Sequence, residues 1–472
     1  MMDKRISEKT IAYIFVFLAA IYQASLIYLY DGTGDDGDSI SHYFYGHLAL
    51  KYKYNWINHW GKPVFTFLST PFALLGFKGI QIFNSICAIL AGFYAYKVAF
   101  KLNIPSSAFA IPIFVLMPEV MVTSFSGLTE VLFAFLLILS VYWILLDRLL
   151  LAFIMISFLP FCRPDGNLVI LLCGLFALTR PKWWRYIPLL FVGHLALTSV
   201  GVIFFGESWT WLASKNPNTN NELVRVCGEW SSYLVFLLEI EGLPSYILMW
   251  VGIIVISYRL YRRKFKIGCE ELIYILAIAI IGMHTVLFKY SLLRSIGLKR
   301  YVITCLPIIA ILILRGIEGL TLLGQKIKIS RFILPIVSFF VILIYVFSDA
   351  KYSAKVPEIY QLNSTQKLSI EVSQFVNKTY PSQRLIYHSY QYLNILFDVD
   401  PYDWEYHRTL TPEEIAKGLP VGSLIIWDDW YGSNNGLMPL GSLIKKPNLK
   451  LIKEFDKNDG KRDRKFVVFE VV

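Results

Sequence analysis

Apolar runs recur along residues 1–348, and short polar or charged segments separate them. Most runs hold roughly 17 to 22 residues, the length at which an α-helix crosses the hydrocarbon core of a membrane. The pattern predicts a helical multi-pass membrane protein with about eleven spans. Two of the spans, 149–162 and 167–179, are short for a full crossing and could instead form one interrupted pair. The predicted spans are 11–30, 80–100, 105–122, 128–146, 149–162, 167–179, 187–205, 244–260, 271–289, 301–316 and 332–348.

The composition supports this class of protein. Of the 472 residues, 56% are apolar and 17% are charged, with a mean hydropathy of +0.53. A soluble chain of this length carries about a quarter charged residues. The net charge of +11 lies largely in loops at membrane boundaries, where it sets orientation, and therefore does not indicate a nucleic-acid partner. The six cysteines show no metal-ligand spacing and indicate small buried side chains.

A cytoplasmic N-terminus puts most clusters of Lys and Arg on the cytoplasmic side, in agreement with the positive-inside rule. Three sizeable segments then face outside: 31–79, 206–243 and a tail from about residue 350. In the tail, where the composition becomes that of a soluble domain, one helix and three short strands are predicted, at 364–380, 384–388, 423–427 and 465–471. We therefore predict a transmembrane domain over 1–348, with the external loop 31–79, and a small α/β extracytoplasmic domain over 349–472.

An acidic cluster follows the first span directly. Asp35, Asp36 and Asp38 fall within four residues, and His42 comes one helical turn later. One of these carboxylates could act as a general base that takes a proton from an acceptor hydroxyl. A neighbouring carboxylate could raise the pKa of the base, or the pair could hold a divalent cation. The alternative is a solvated loop in which Asp38 or Ser39 caps a helix that begins near residue 40.

A basic group breaks the orientation rule on the outer side, between two late spans. Four positive charges there suit an anionic ligand, above all phosphate, because guanidinium and ammonium groups bind it strongly. The alternative is that these long side chains extend toward lipid headgroups. The candidate ligand-binding residues in this group are Lys289, Arg294, Lys299, Arg300 and Tyr301.

Charged residues also occur inside apolar regions, where they are rare and functional by default. Arg163 and Asp165 flank a proline before Gly166, so a helix break around a cavity or a structural ion pair is expected. Glu130 opens another span and could cap that helix or line a cavity. His59 and Lys62 are weaker candidates, because an aromatic and basic belt at headgroup level explains them equally well.

Sequence motifs for soluble nucleotide donors are lacking, which indicates that a donor would be lipid-borne. There is no phosphate-binding loop, dinucleotide fingerprint, zinc motif or nucleophile elbow. His194 and His284 fall within predicted spans, and the sequence favours packing roles for both.

At these residues the chain resembles the GT-C superfamily of polytopic glycosyltransferases, which use polyprenyl-phosphate-linked sugars as donors. The resemblance covers roughly 1–348 and depends on an ordered set of motifs rather than on any one of them. The first-loop pair is Asp-Asp here, where Asp-Glu is commoner in the family, and Asp38 is a rival for the role of base. The matching elements are Asp35-Asp36, Ser126 to Glu130, Arg163 to Gly166, Arg300-Tyr301 and Pro307.

The resemblance implies Asp36 or Asp35 as the catalytic residue, and Arg163, Arg294, Lys299 and Arg300 as ligands of the donor phosphate. It also implies residence in a bacterial inner membrane. The resulting hypothesis is an inverting transferase that moves a hexose such as mannose to a glycan, lipid or protein acceptor outside the cytoplasm. Membrane lipid is an expected partner and nucleic acid is not. The alternatives are a transporter or flippase of lipid-linked glycans and a non-catalytic membrane assembly protein.

Overall fold

The structure is a computed structural model that describes residues 7–215, 227–326, 333–348, 360–458 and 463–472. The chain divides into two compact units. The first comprises Met1–Tyr30 with Tyr45–Pro357, and the second comprises Asp31–Phe44 with Glu358–Val472. The short segment after the first span is therefore grouped with the tail, although the predicted domain division assigned it to the transmembrane part.

Helices dominate the described residues, and one sheet of five strands lies in the second unit. The α-helices are α1 (Glu8–Leu29), α2 (Asp38–His47), α3 (Pro63–Ala73), α4 (Phe77–Lys101), α5 (Ala110–Val115), α6 (Pro118–Ser124), α7 (Glu130–Leu145), α8 (Leu149–Phe158), α9 (Gly166–Leu178), α10 (Val192–Phe205), α11 (Trp211–Ser214), α12 (Ser232–Glu241), α13 (Leu243–Arg262), α14 (Cys269–Lys289), α15 (Leu306–Lys326), α16 (Ile333–Ser348), α17 (Ser364–Thr379), α18 (Tyr392–Leu396), α19 (Pro412–Ala416) and α20 (Leu440–Ile444). Short 3₁₀ helices occur at Lys53–Ile57, Ser107–Phe109, Leu159–Phe161, Trp183–Phe191, Leu292–Arg294 and Lys299–Cys305. The strands are β1 (Ile386–His388), β2 (His407–Thr409), β3 (Leu424–Asp428), β4 (Leu449–Asn458) and β5 (Asp463–Val471).

The first unit contains helices that are long and apolar enough to cross a membrane. Within the described residues, six helices are long and apolar enough to cross one: Glu8–Leu29, Phe77–Lys101, Trp183–Phe205, Leu243–Arg262, Cys269–Lys289 and Lys299–Gln325. A seventh arises if Ser107–Val115 and Pro118–Ser124, which are bent by 68°, count as one broken span. The remaining predicted spans coincide with shorter apolar helices: Glu130–Leu145, Leu149–Phe161, Gly166–Leu178 and Ile333–Ile344. The chain is therefore a multi-pass membrane protein, whereas the prediction of about eleven full crossings stays a prediction.

Helices α13 and α15 touch through their backbones at two glycines. A Cβ atom added to Gly252 would lie 2.1 Å from the carbonyl oxygen of Leu312, and one added to Gly316 would lie 2.0 Å from that of Leu248. Small residues allow this approach between membrane helices, where dispersion contacts replace the hydrophobic effect as the source of stability. The α13–α15 pair is thus packed with its two backbones in contact.

The second unit contains a mixed sheet with the strand order β2-β1-β3-β5-β4. Strand β1 is parallel to both β2 and β3, while β5 is antiparallel to β3 and β4. Strand β3 is buried along its whole length. The predicted helix and the three predicted strands are present, so the expectation of a small C-terminal α/β domain is confirmed. The strands β2 and β4 were not predicted.

Helix α17 covers this sheet with an apolar stripe. Leu368, Val372 and Val376 recur every four residues and are buried, so they lie on one face of the helix. Asn363 caps the N-terminus: its Oδ1 accepts from the backbone N–H of Gln366 at 2.9 Å. The side chain of Gln366 in turn accepts from the N–H of Asn363 at 3.0 Å. These two reciprocal hydrogen bonds form a capping box, which fixes the orientation of the Asn363 side-chain amide.

Candidate functional site

One group of candidate residues lies in the turn that precedes α2, in the second unit. Asp35 Oδ1 accepts from the backbone N–H of Gly37 at 2.9 Å and of Ser39 at 3.2 Å. Thr33 Oγ1 donates to the carbonyl of Asp35 at 2.8 Å, which closes the turn from the other side. A carboxylate bound in this way organises its own loop. Asp35 is therefore a structural residue of this turn. The carboxylate of the next residue, Asp36, has different partners.

Asp36 is held by side chains from the distant tail of the sequence. Its Oδ2 accepts from Nδ2 of Asn363 at 3.0 Å and from the hydroxyl of Tyr390 at 3.3 Å. Burial raises the pKa of Asp36 above its usual value and nearby Asp35 adds to the rise, while the two donors oppose it. A carboxylate with a raised pKa is the stronger base, so Asp36 is suited to accept a proton.

The other two predicted residues of this segment lie on α2. Asp38 is the first residue of the helix, two positions before the predicted start, and provides an acidic side chain in its first turn. His42 is buried on the same helix. A negative charge at a helix N-terminus is favourable, which gives Asp38 a structural role.

Tyr390 is fixed in turn by a neighbouring ring. It stacks on Tyr431, with ring centroids 4.7 Å apart and an angle of 15° between the ring planes. The turn carrying Tyr431 is organised by Asp428, whose carboxylate accepts the backbone N–H groups of Trp430, Tyr431 and Gly432. Asp428 is fully buried, and burial raises its pKa to about 7 despite these three donors.

A separate group of candidate residues forms an ion-pair cluster in the first unit. Arg163 lies 2.7 Å from Glu130 (Nη1 to Oε1) and 2.8 Å from Asp165 (Nε to Oδ2). The Glu130 and Asp165 side chains are 2% and 4% exposed, and that of Arg163 is 11% exposed. Ion pairs this well buried are costly to break, because the remaining charge is left without a partner or water. The expected Arg163–Asp165 pair is thus present, with Glu130 as its unpredicted third member.

His284 and Tyr301 complete this cluster. His284 Nε2 lies 2.8 Å from Asp165 Oδ1, and the imidazole stacks on the ring of Tyr301 with centroids 5.1 Å apart. The guanidinium of Arg163 lies 5.3 Å from the centroid of the same ring, within range of a cation–π contact. The sequence favoured a packing role for His284. The sign that could have identified it is its position as an ionisable residue inside an apolar span.

Arg300 joins the cluster through Glu130. Its Nε lies 3.3 Å from Glu130 Oε1, the oxygen that Arg163 also approaches. Two arginines and two carboxylates therefore balance in formal charge. This finding changes the expected picture of Arg163 and Arg300 as a simple phosphate clamp, because both guanidiniums already face protein carboxylates.

The remaining basic candidates are distributed differently. Lys299 pairs with Glu239, and its ammonium lies 5.7 Å from the ring of Phe236. Lys289 lies 3.2 Å from Glu229, whose side chain is 77% exposed. The side chain of Arg294 lies outside the described part of the structure.

His59 and Lys62 line a pocket of about 260 Å³ in the first unit. His194 and Asn167 contribute further polar groups to its wall. Pro164, the residue after Arg163, also lines the pocket. Among the described residues, the buried atoms His59 Nε2 and His194 Nδ1 have no hydrogen-bond partner. Unsatisfied buried nitrogens are unfavourable and are common where a ligand binds. Burial and the charge of Lys62 lower the pKa of His59.

The expectation of a divalent cation finds no support from the geometry of the acidic turn. Within the ranges that the structure describes, no three His, Cys, Asp or Glu side chains converge in a group that could hold a metal. Asp35 Oδ1 and Asp36 Oδ2 each already accept two hydrogen bonds.

The fold is similar to that of known membrane proteins. For ArnT from Cupriavidus metallidurans bound to undecaprenyl phosphate, the TM-score is 0.66 at 10% identity, covering 97% of this chain and 97% of that chain. For the apo state of ArnT the values are 0.63 and 11%, with the same coverage. For the apo oligosaccharyltransferase of Archaeoglobus fulgidus they are 0.56 and 10%, covering 90% of this chain and 70% of that chain. No family model and no curated protein matches the sequence. The predicted fold, a polytopic helical domain followed by a small C-terminal α/β domain, is confirmed by this similarity.

Proposed function

We propose that the protein is a glycosyltransferase that moves a sugar from a polyprenyl-phosphate donor to a hydroxyl of an acceptor outside the cytoplasm. The donated sugar is a hexose such as mannose, and the reaction inverts the configuration at its anomeric carbon. Asp36 takes the proton of the acceptor hydroxyl. The acceptor oxygen bonds to the anomeric carbon as the bond from that carbon to the phosphate oxygen breaks, and polyprenyl phosphate leaves with the electron pair.

The observation that carries this proposal is the similarity of fold over 97% of the chain to ArnT, a protein whose structure contains undecaprenyl phosphate. A chain of this fold with the same lipid as its product would hold the isoprenoid among apolar helices. The buried polar groups of the first unit would then be needed for the phosphate and the sugar.

Asp36 is proposed as the base because burial raises its pKa and because two side-chain donors, from Asn363 and Tyr390, orient it. Asp35 is occupied by backbone N–H groups of its own turn. A positioned general base contributes typically 10²–10⁴-fold to the rate, so its removal should be conspicuous.

For the donor phosphate we propose the pocket lined by His59, Lys62 and His194. It presents an ammonium and two imidazoles, and two of its ring nitrogens are buried without partners in the described structure. An anion there would receive hydrogen bonds and a positive charge. The balanced Arg163 cluster next to it is proposed to hold the Arg163–Gly166 element rigid, so that Pro164 and Asn167 keep the pocket open.

The test uses the full-length protein in proteoliposomes with radiolabelled polyprenyl-phosphate mannose or glucose, and membranes from cells that lack the protein as the acceptor source. We expect the labelled sugar to move from the lipid donor to an acceptor in the added membranes. Polyprenyl phosphate should be released in equal amount. Asp36→Asn should reduce the rate at least 100-fold. Asp38→Asn, the same change at the start of α2, is the matched control and should retain most of it.

Movement of intact labelled donor across the bilayer, with its sugar–phosphate bond uncleaved, would instead identify a flippase. Equal activity of Asp36→Asn and Asp38→Asn would remove Asp36 from the mechanism. The proposed phosphate pocket is tested separately from the base by the binding of polyprenyl phosphate, which carries no sugar to transfer. Lys62→Met should weaken this binding, and unchanged binding would contradict the pocket.

A further inference from the structure

Groups from the tail of the sequence bind the acidic segment at several points. Besides the two donors to Asp36, Gln366 Nε2 donates to Thr33 Oγ1 at 2.8 Å. The backbone N–H of Gly32 donates to the carbonyl of Tyr360 at 2.7 Å. Side-chain and main-chain contacts therefore attach both the entry to the acidic turn and its central carboxylate to the C-terminal domain.

We propose that Asn363 and Tyr390 are positioning residues for the base, and that the C-terminal domain acts in the transfer reaction by orienting the carboxylate of Asp36. This inference depends on the proposed function, since it assigns a role within that reaction. The sequence offered no function for this domain.

The geometry specifies which oxygen of Asp36 would react. Both donors bind Oδ2, from opposite parts of the tail: Asn363 lies before α17, and Tyr390 follows β1. A carboxylate with two donors on one oxygen cannot rotate without losing both bonds. Oδ1, which neither donor binds, is then held in one direction, and it is the oxygen proposed to accept the proton.

Tyr390 is itself held in place. It is fully buried and stacked on Tyr431, and the turn around Tyr431 depends on the buried carboxylate of Asp428. Burial and the charge of Asp36 raise the pKa of Tyr390 well above its usual value. Its hydroxyl therefore keeps its proton and remains a donor throughout the working pH range.

The acidic groups around Asp36 give the inference a measurable signature. Asp35 acts on Asp36 directly, and Asp38 and Asp428 act on the adjacent Tyr431. In such surroundings the carboxylate form of Asp36 depends on its two donors. Removal of either donor should raise the pKa of Asp36 and so move the acid limb of the activity profile to higher pH.

The decisive variant is Tyr390→Phe, which removes the donating hydroxyl but keeps the ring that stacks on Tyr431. We expect kcat to fall about tenfold or more, KM for the donor lipid to stay unchanged, and the acid limb to move up by about one pH unit. Tyr380→Phe is the matched control. It removes a hydroxyl of the same unit that donates to Glu470 at 3.2 Å, and it should change neither the profile nor kcat.

Asn363 provides an independent variant that preserves the helix cap. Both Ser and Asp cap helices well, so Asn363→Ser and Asn363→Asp should leave α17 intact. Ser loses the donor to Asp36, whereas Asp adds a second carboxylate beside it. The acid limb should therefore move further in Asn363→Asp than in Asn363→Ser.

The outcomes separate the two hypotheses. If Asp36→Asn is inactive but Tyr390→Phe and Asn363→Asp keep the wild-type kcat and pH profile, the positioning role is refuted and the proposed function stands. If Asp36→Asn is fully active, Asp36 is not the base and the positioning role is refuted with it. If no sugar transfer occurs at all, the proposed function itself fails. A loss of kcat in Tyr390→Phe without a moved acid limb would also refute positioning, since it would reflect general destabilisation.

Discussion

The ion-pair cluster makes a quantitative prediction for Glu130→Gln. This change keeps the size of the side chain and an oxygen near Arg163, but it removes the negative charge that both Arg163 and Arg300 approach. Glu130 is 2% exposed, so water cannot replace the lost charge. Arg163 would keep Asp165 as its only carboxylate partner in the cluster.

The magnitude follows from this burial. Removing one partner of a buried ion pair costs about 3–5 kcal/mol. Because the glutamine oxygen can still accept from Arg163, we expect about 3 kcal/mol, which lowers the equilibrium constant for folding roughly a hundredfold. The control is Glu229→Gln, the same change in an exposed pair with Lys289, which should cost less than about 1 kcal/mol.

The assay is thermal unfolding of the detergent-solubilised protein, followed with a dye that reacts with thiols. Four buried cysteines of the first unit become reactive only when it opens, and Cys162 adjoins the cluster. The exposed Cys227 is first replaced by Ser. The buried reporters are Cys87, Cys162, Cys173 and Cys305.

A double-mutant cycle then tests the geometry. Coupling of Glu130 to Arg163, at 2.7 Å, should exceed its coupling to Arg300, at 3.3 Å. If Glu130→Gln costs no more than Glu229→Gln, or if the coupling to Arg163 is zero, the cluster does not stabilise the first unit and the reasoning is wrong.

Three further predictions concern other parts of the chain. Gly252→Ala should destabilise the first unit, because its new methyl meets the carbonyl of Leu312 at the α13–α15 contact, whereas Gly282→Ala, with open space around it, should be neutral or stabilising in the same thiol assay. Asp428 has a pKa raised to about 7 in the folded protein, so the folded state binds its proton more tightly than the unfolded state does, and this contribution to stability is lost as pH rises from about 4 through 7. The Tm of the wild type should therefore fall more between pH 5 and pH 8 than that of Asp428→Asn, and an equal fall would contradict the assignment. Lys62→Met should raise the Kd for polyprenyl phosphate at least tenfold, measured by lipid binding in detergent, while the Tm stays within a few degrees.

The sequence was sufficient to predict the long apolar helices of the first unit because each carries an extended apolar run. It did not predict α3, α11 and α12, which lie in the predicted external segments 31–79 and 206–243. The helix α17 and the strands β1, β3 and β5 were predictable for a similar reason, since helical spacing or buried β-branched residues mark them. Strand β4 was not, because it lies at the edge of the sheet and five of its ten residues are Lys, Glu or Asp. An exposed edge strand has the composition of a polar loop.

The candidate site was predictable in its residue types but not in its pairings. Charges within apolar regions singled out Arg163, Asp165 and Glu130 from the sequence alone. That Glu130 would approach Arg300, or that His284 would approach Asp165, depends on how distant helices pack. Likewise, nothing in the acidic turn predicts Asn363 and Tyr390 as its hydrogen-bond donors.

The dependence of the acidic turn on the tail has a consequence for biosynthesis. Asp36 precedes Asn363 by 327 positions and Tyr390 by 354 positions in the chain. At about 5–20 residues per second, the ribosome delivers these donors roughly 15 to 70 s after the turn itself. Throughout that interval the turn exists without its hydrogen-bond donors. A chain released early by the ribosome could insert its helices but could not complete the environment of Asp36, so the chemistry proposed for this residue would be confined to fully translated molecules.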